Sequence, residues 1–392
     1  MNISLEVSQK SLCKHGEELC GDKLEIIKTD NSDIIILSDG MGSGVKANIL
    51  ATLTSKILGT MLKQGANIED CVDTIAKTLP VCSVRHVAYS TFSILQIFND
   101  GTAYLVEYDN PGCVLIRNKK IVKIPYEVKE IEGKKIKEYR FNIEMNDYFV
   151  LFSDGVVHAG VGNLMDFGWG WQRAAEYIRK ACTNDKSLSA PRLTSMICKI
   201  CDDLYMNSPG DDTTVVVARI VPRKNVNIFT GPPTSYDDDA VLMRDFMTTP
   251  GKKVVSGGTS ATIASRVLNK KIVASITYND PEIPPTATME GLDLVTEGVL
   301  TLNRCASMLE QYNKGDVSAR FFDSLDADNG AAMLAKMLIE DCTHLNMFVG
   351  KAMNSAHQNV SLPFDLSIRM RLVEKIKTEC EKMGKAVVVK YY

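Results

Sequence analysis

The chain has 392 residues, which is long for one compact domain and sufficient for two. Hydrophobic residues make up 45% and charged residues 24% of the sequence, which is ordinary globular composition and excludes a disordered, collagen-like or disulfide-dependent chain. Forty-five basic and 48 acidic side chains give a formal net charge of −3. Without an overall basic charge to attract phosphates, we expect no nucleic-acid partner.

The cysteines indicate the compartment. Eleven of them are scattered from Cys13 to Cys380 without the spacing of a disulfide framework. The one CxxC pair, Cys198 and Cys201, lies in a segment with a helical pattern, so we expect two buried thiols there rather than a zinc or redox site. Reduced cysteines, an N-terminus without a signal peptide and no apolar run of about 20 residues predict a cytoplasmic protein without a membrane partner.

The first half of the chain alternates short β-rich runs with pairs of helical segments. In the clearest helix, Ile49, Leu53 and Ile57 recur every four residues. Because consecutive strands joined by short turns must be antiparallel, the pattern predicts an α+β sandwich of antiparallel sheets with helices outside. The predicted strands are 24–28, 33–38, 89–98, 102–108, 112–117, 120–124, 148–153 and 213–220, the helices are 45–64, 68–79, 171–181 and 191–205, and the basic run 134–137 is predicted to be a solvated loop.

The pattern changes after the polar residues 221–225, where single strands begin to alternate with single helices. This alternation is typical of a partly parallel α/β domain. The sequence therefore predicts two domains, residues 1–222 and residues 226–392. In the second, strands are predicted at 227–229, 253–256, 271–275, 345–349 and 386–391, and helices at 237–247, 260–268, 294–311, 330–340 and 366–383.

Several aspartates stand next to glycine at the ends of predicted strands. Asp39, Asp154 and Asp211 each adjoin a long apolar strand. If those strand ends converge, the carboxylates share one pocket and repel one another strongly unless a counterion is present. Oxygen ligands alone suit magnesium or manganese rather than zinc. An Asp-Gly pair after a strand is also the commonest hairpin signal, so any one of these segments taken singly is better explained as a turn, and only the joint pattern favours a metal site.

Taken together, these segments resemble the motifs of the SpoIIE-like bacterial branch of the metal-dependent, PPM-type serine/threonine protein phosphatases. The matching stretches, in family order, are CGD at 20–22, LSDGMGSG at 37–44, YSTFSI at 89–94, the turn at 110–112, FSDGV at 152–156 and GDDTTVVV at 210–217. The resemblance covers roughly residues 1–220. It implies a four-layer α-β-β-α sandwich with a two-metal site at one end of the paired sheets.

The resemblance also implies a role for each matching residue. Asp22 would hold one metal, largely through water, and Asp39 would bridge both ions, with the Gly40 carbonyl completing one coordination shell. Asp154 and Asp211 would bind the other ion.

The remaining matching residues and the bound ions would support the reaction. Asp212 would support the ligands without binding metal itself, and the loop 40–44 would offer backbone amide donors. Two Mn²⁺ or Mg²⁺ ions about 3.5–4 Å apart would lower the pKa of a shared water, and the resulting hydroxide would attack phosphorus in line.

The implied substrate is phosphoserine or phosphothreonine on a protein. Relatives commonly act on phosphorylated anti-sigma-factor antagonists in bacterial signalling, so a small phosphoprotein is the implied partner. The alternative is a non-catalytic scaffold that keeps the fold and binds a phosphoprotein.

His158 and the tryptophan segment that follows the FSDGV motif each have two interpretations. His158 occupies a position where many relatives carry an acidic residue, and it is either a proton donor to the leaving serine oxygen or a surface loop histidine. The segment containing Trp169 and Trp171 is either a mobile flap over the site or an aromatic pair that anchors a helix.

No family resemblance is recognised in the second half, where the informative segment runs from a strand through a glycine turn to a helix. The residues Gly257, Gly258, Thr259 and Ser260 could present amides to an anion, or form a tight turn in which Thr259 or Ser260 caps the helix. The first interpretation predicts a sensor domain for a small anionic ligand. The alternative is a bifunctional protein whose second domain is itself catalytic, with a nucleotide as ligand.

Overall fold

The computed structural model describes residues 3–79, 90–185, 187–274, 284–315, 317–352 and 364–392. The chain divides into two compact units, Met1–Pro222 and Arg223–Tyr392. Residue 89 of the predicted strand 89–98 and residue 275 of the predicted strand 271–275 lie outside the described residues. Within the described ranges, no helix is both long and apolar enough to cross a membrane.

Two antiparallel sheets form the middle of the N-terminal unit. The strands are β1 (Ile3–Leu12), β2 (Asp22–Lys28), β3 (Ser32–Gly40), β4 (Ser90–Phe98), β5 (Thr102–Tyr108), β6 (Val114–Arg117), β7 (Lys120–Val122), β8 (Glu127–Ile131), β9 (Lys134–Asn142), β10 (Tyr148–Phe152) and β11 (Thr213–Pro222). Over the described residues, one sheet has the order β1-β11-β10-β6-β7 and the other β2-β3-β4-β5-β9-β8. All neighbouring strands in these two orders are antiparallel, which confirms the sequence prediction.

Helices cover the outer face of each sheet. They are α1 (Gly44–Lys63), α2 (Ile68–Thr78), α3 (Asp154–His158), α4 (Trp171–Asn184) and α5 (Ala190–Leu204). The side chain of Asn67 caps α2 by accepting the Asp70 amide hydrogen, and Ser189 caps α5 in the same way. The CxxC thiols, Cys198 and Cys201, are buried in α5 as predicted.

Three layers of buried apolar side chains hold these elements together. Strand β3 contributes to two of them, because Ile34 and Ile36 pack under α1 and α2 while Ile35 and Leu37 face the other sheet. All four are fully buried, as expected for a continuous apolar run in a strand that is covered on both faces. A third layer, which includes the fully buried Val150, joins the five-stranded sheet to α4 and α5. The α-β-β-α layering is therefore confirmed.

Three strands of this unit, β1, β8 and β9, were not predicted from the sequence. The prediction of a solvated loop at 134–137 is wrong, because these residues begin β9, where Ile136 is fully buried between the exposed Lys135 and Lys137. Strand β1 was not predicted because polar Glu6 and Ser8 occupy buried positions along it, so it lacks an apolar stripe.

The C-terminal unit contains one sheet of mixed direction. Its strands are β12 (Asn225–Thr230), β13 (Lys252–Ser256), β14 (Val273–Ala274), β15 (Ala287–Thr288), β16 (Leu294–Thr296), β17 (His344–Val349) and β18 (Ala386–Tyr391), and its helices are α6 (Asp238–Thr248), α7 (Gly258–Leu268), α8 (Val299–Asn313), α9 (Ala319–Leu325), α10 (Gly330–Glu340) and α11 (Phe364–Lys382). Over the described residues the strand order is β14-β15-β16-β13-β12-β17-β18. Five neighbouring strands of this sheet, β16, β13, β12, β17 and β18, are parallel to one another, which confirms a partly parallel α/β region.

The predicted helix 294–311 is wrong at its start. Leu294 to Thr296 form strand β16, which pairs in parallel with β13, and the helix begins only at Val299. A short apolar run is ambiguous between strand and helix, and here the glycine at position 298 separates the two elements.

The layer between the two sheets can be tested by truncating one buried aromatic ring. Phe149 is fully buried there, so Phe149→Ala should lower the free energy of unfolding by about 3–5 kcal/mol. Both tryptophans of the chain, Trp169 and Trp171, lie in the N-terminal unit, so tryptophan fluorescence during urea denaturation follows that unit alone. Phe167→Ala is the matched control, since Phe167 is 87% exposed and its loss should change stability by no more than ~0.5 kcal/mol. Equal losses in the two variants would contradict the assigned layer.

Candidate metal centre

Four aspartates occupy strand ends at the same end of the sandwich. Asp22 opens β2 and is the direct cross-strand partner of Asp39, near the end of β3. Asp154 follows β10 as the first residue of α3, and Asp211 stands two positions before β11. Because β10 and β11 are antiparallel neighbours, the end of one lies beside the start of the other. The two sheets thus each contribute two of the predicted carboxylates.

Ser153 connects the two sheets at this end. Its hydroxyl donates a hydrogen bond to Oδ2 of Asp22 at 2.7 Å and accepts one from the backbone amide of Thr214 at 2.8 Å. The other carboxylate oxygen of Asp22, Oδ1, is buried and has no hydrogen-bond partner among the described residues. Sequence reasoning missed Ser153, although a serine precedes Asp-Gly in both the 38–40 and 153–155 segments.

The electrostatics of the cluster are unfavourable without a counterion. Burial raises the pKa of Asp39 well above its usual range, and the charges of Asp22, Asp154 and Asp211 raise it further. The carboxyl group of Asp154 is also within hydrogen-bonding reach of Asp39. Burial similarly raises the pKa of Asp22, with Asp212 and Asp154 adding to the effect. The four predicted carboxylates therefore interact as one group.

Two glycines, Gly40 and Gly155, make this geometry possible because neighbouring backbone occupies the space where a Cβ atom would lie. A Cβ atom on Gly40 would collide with the backbone carbonyl of Ala47 in α1. One on Gly155 would collide with the backbone carbonyl of Asp212. Between Gly40 and α1, Gly42 has a φ of +96°, a left-handed conformation that favours glycine. In the two Asp-Gly pairs, Asp39-Gly40 and Asp154-Gly155, the glycine therefore allows two backbone segments to approach closely at the carboxylate cluster, and neither pair forms a hairpin turn.

Asp212 lies behind the cluster in a buried position. Its Oδ1 accepts a hydrogen bond from the backbone amide of Lys14 at 3.0 Å, and its buried Oδ2 has no partner among the described residues. The thiols of Cys13 and Cys20 approach it, with the two sulfurs and one carboxylate oxygen all within 4.8 Å of one another. Cys20 belongs to the CGD motif at 20–22, whereas sequence reasoning missed Cys13 because it belongs to no matching motif.

The donor set fits hard divalent cations. All predicted ligands are oxygen atoms, the charges of the other three carboxylates raise the pKa of Asp39, and Asp22 carries a buried oxygen without a hydrogen-bond partner among the described residues. Cations would neutralise this concentration of charge, and oxygen ligands of this kind suit Mg²⁺ or Mn²⁺.

The remaining residues predicted near the site are placed as follows. His158 is the last residue of α3, with its Nδ1 3.8 Å from Oδ2 of Asp154 and its side chain 56% exposed. Trp169 is buried in the layer under α4, and Nε1 of Trp171 donates a hydrogen bond to the carbonyl of Gly112 at 2.6 Å. The tryptophans therefore anchor the start of α4, which favours that interpretation over a flap.

In the C-terminal unit, the glycine turn does connect a strand to a helix, but its predicted cap is wrong. The N-cap of α7 is Gly257, and no side chain caps it. The hydroxyl of Ser260 instead accepts a hydrogen bond from the backbone amide of Gly231 at 2.8 Å, because the end of β12 passes directly beside it. The open turn lines a cavity of the C-terminal unit.

Comparisons with known proteins bear on the N-terminal unit. Residues 29–221 match the family model for stage II sporulation protein E (SpoIIE). No curated protein sequence matches the chain significantly.

Solved structures similar to this chain include three bacterial examples. The phosphatase domain of SpoIIE with a fragment of its regulatory domain, from Bacillus subtilis, is 17% identical over 56% of this chain and 64% of that chain, with a TM-score of 0.47. This chain thus spans less than two thirds of that structure. The RsbU and RsbW domains of a Mycobacterium tuberculosis protein are 12% identical over 68% of this chain and 71% of that chain, with a TM-score of 0.46. The SiaA-PP2C domain of Pseudomonas aeruginosa is 16% identical over 54% and 85%, with a TM-score of 0.42.

The carboxylate cluster predicts an unusual dependence of stability on pH. Asp22 and Asp39 have raised pKa values in the folded state, so in the metal-free protein the native state holds protons that the unfolded state has released. The stabilisation is complete below the ordinary aspartate pKa of about 4 and is lost as pH rises through the raised values. Metal-free protein should therefore melt at progressively lower temperature from about pH 5 to pH 8 in chelator.

Replacing one carboxylate should remove much of this effect. In chelator at pH 8, Asp39→Asn should be more stable than the wild type by about 1–3 kcal/mol, because it relieves repulsion at a buried site. Adding Mn²⁺ should raise the melting temperature of the wild type and leave that of Asp39→Asn nearly unchanged. A variant that is less stable than the wild type in chelator would contradict the assigned repulsion.

Proposed function

Because residues 29–221 belong to the SpoIIE family, we propose that the N-terminal unit is a metal-dependent phosphatase acting on phosphoserine and phosphothreonine of a protein. The observation that carries the proposal is the convergence of Asp22, Asp39, Asp154 and Asp211 at one end of the sandwich, where the charges of the other three raise the pKa of Asp39. A protein retains such a group only where a bound charge offsets its cost, and divalent cations do so.

Each ligand has a position that suits its proposed role. Asp39 is coupled to all three other carboxylates, so it is the residue that would bridge two cations. The orphaned Oδ1 of Asp22 is available to a cation or its water, since Oδ2 is held by Ser153. The carbonyl of Gly40 would complete one shell, and Asp154 and Asp211 would hold the other cation.

Bound cations would activate water for attack on phosphorus and neutralise the charge of the phosphoryl oxygens. The residues of the chain keep the carboxylates oriented for this task. Ser153 fixes the plane of the Asp22 carboxylate through its 2.7 Å hydrogen bond, and the Lys14 amide does the same for Asp212 at 3.0 Å. Backbone amides of the 40–44 loop would offer further hydrogen-bond donors to the phosphate.

The substrate of the proposed enzyme is a cytoplasmic phosphoprotein in bacterial signalling, such as a phosphorylated anti-sigma-factor antagonist. Membership of residues 29–221 in the SpoIIE family supports this substrate class.

Asp39→Asn tests the proposed catalytic centre directly. Release of phosphate from p-nitrophenyl phosphate and from a phosphoserine peptide should require Mn²⁺ or Mg²⁺ and should stop in chelator. Asp39→Asn should lower the turnover at least ~100-fold, because it removes the ligand that couples both sides of the site. Asp30→Asn is the matched control, since Asp30 is exposed in the turn before β3, and it should keep wild-type turnover.

The outcome also separates an enzyme from a scaffold. A wild-type chain that binds Mn²⁺ and a phosphoprotein without any metal-dependent turnover would be a non-catalytic scaffold. Wild-type turnover in Asp39→Asn would overturn the assignment of the site.

The two interpretations of His158 differ in their dependence on the leaving group. A proton donor is needed when a serine alkoxide leaves, but p-nitrophenolate leaves without one. If His158 donates the proton, His158→Ala should lower the turnover of a phosphoserine peptide by about 100-fold or more and leave p-nitrophenyl phosphate unaffected. Wild-type turnover on both substrates would identify a surface histidine, which its 56% exposure permits.

A further inference from the structure

The C-terminal unit contains a cavity of about 320 Å³ at the carboxyl ends of its parallel strands. It is lined by residues that include Gly231, Ser256, Gly258, Glu297, Val299 and Arg369. Strand β12 lies in the middle of the parallel strands: β13 and β16 follow it in sequence and lie on one side of it, whereas the later strands β17 and β18 lie on its other side. In open parallel sheets, ligands bind outside the carboxyl ends of the strands at such a reversal of strand order.

Two helices begin at this cavity. Helix α7 starts at Gly258 and α8 at Val299, so their first backbone N–H groups and the positive ends of their dipoles face the same space. The loops before them are joined, because the amide of Gly257 donates to the carbonyl of Thr296 at 2.9 Å. Gly257 has a φ of +115°, and a Cβ on Gly258 would meet nothing within 4 Å. The turn is therefore open towards the cavity at Gly258.

A buried guanidinium group lies on the other side of the cavity. Arg369 of α11 is only 6% exposed, and its Nη2 donates to the carbonyl of Ala352 at 3.3 Å. The guanidinium lies against the backbone of Gly231, where a Cβ would meet its Nη1, and the φ of +81° at Gly231 favours glycine where β12 ends. Arginine presents several donors in a planar fork that matches the oxygens of a phosphate. The amides and the guanidinium together form a site for an anion.

One wall of the cavity carries a negative charge instead. The carboxylate of Glu297 accepts the backbone amide of Gly298 at 2.6 Å, and it is exposed to the cavity. A carboxylate repels phosphate but accepts hydrogen bonds from hydroxyl groups. A ligand that satisfies both sides carries a phosphate at one end and hydroxyl groups at the other. The cavity volume is near the lower end of the ~300–1,000 Å³ range of small-molecule sites.

We propose that this cavity binds a phosphorylated sugar, either as a free sugar phosphate or as the ribose phosphate of a mononucleotide. The phosphate lies at the first turn of α7 beside Arg369, and the sugar hydroxyls face Glu297. This site is separate from the proposed phosphatase centre and holds whether or not that centre is catalytic.

Binding can be measured by calorimetry on the full chain, with chelator present so that the N-terminal carboxylates hold no metal. The probes are ribose 5-phosphate, adenosine 5′-monophosphate, ribose and inorganic phosphate. One or both phosphorylated sugars should bind at least about tenfold more tightly than ribose or inorganic phosphate. Tighter binding of adenosine 5′-monophosphate than of ribose 5-phosphate identifies a nucleotide site, and the reverse order identifies a sugar-phosphate site. No binding of either, or equal binding of ribose, overturns the proposal.

A pair of substitutions at one position locates the site. Gly258→Asp introduces a negative charge where the phosphate lies, and it suits the first turn of a helix, so the fold should be kept. It should weaken binding of the phosphorylated sugar at least about tenfold, whereas the isosteric, neutral Gly258→Asn should change it less than about threefold. Unchanged binding in Gly258→Asp, or an equal loss in both variants, contradicts the assigned phosphate position.

A second substitution tests the sugar end. Glu297→Gln keeps the size of the side chain and removes its charge, so it should weaken binding of the phosphorylated sugar while inorganic phosphate binds no less tightly. Wild-type affinity for the phosphorylated sugar in Glu297→Gln would contradict the assigned hydroxyl contacts.

Discussion

Repulsion among clustered carboxylates is the constraint around which the N-terminal unit is organised. Asp22, Asp39, Asp154 and Asp211 come from two different sheets. Burial and neighbouring charges together raise the pKa values of Asp22, Asp39 and Asp211, so the ionised forms of these three are disfavoured here. The three apolar layers supply the stability that holds the strand ends together. The hydrogen bond from Ser153 to Asp22 then sets the orientation across the gap between the sheets.

Much of this arrangement is readable from the sequence. The long apolar runs such as 33–38 predict strands buried on both faces, and short turns between them require antiparallel pairing. Because each aspartate directly adjoins such a strand, its position in the fold follows from the strand's position. The sheet order was not derivable from the residues alone, since pairing between β1 and β11 joins the two ends of the unit. The resemblance to a known family supplied the convergence that periodicity could not.

What the sequence did not reveal depends on contacts between distant residues. The strand at 134–142 was hidden by its lysines, whose charged ends reach solvent while Ile136 is buried. Ser153 gains its importance only when Asp22 arrives beside it from the other sheet. In the C-terminal unit the glycine turn was visible, but nothing in the sequence connects it to Arg369 on the last helix. Such sites need the tertiary structure before their chemistry can be inferred.

The glycines beside the carboxylates have a consequence for how such a protein can change over generations. Any side chain at Gly40 or Gly155 would strike backbone, so substitution there threatens the fold itself. Replacing Asp39 by a neutral isostere should instead relieve repulsion, so the metal-free chain should tolerate it. Mutational drift in this architecture is therefore expected to lose the carboxylates before it loses the backbone that positions them. A descendant without Asp39 would keep the fold, so the four aspartates, more than the fold, distinguish a chain that can bind cations at these strand ends.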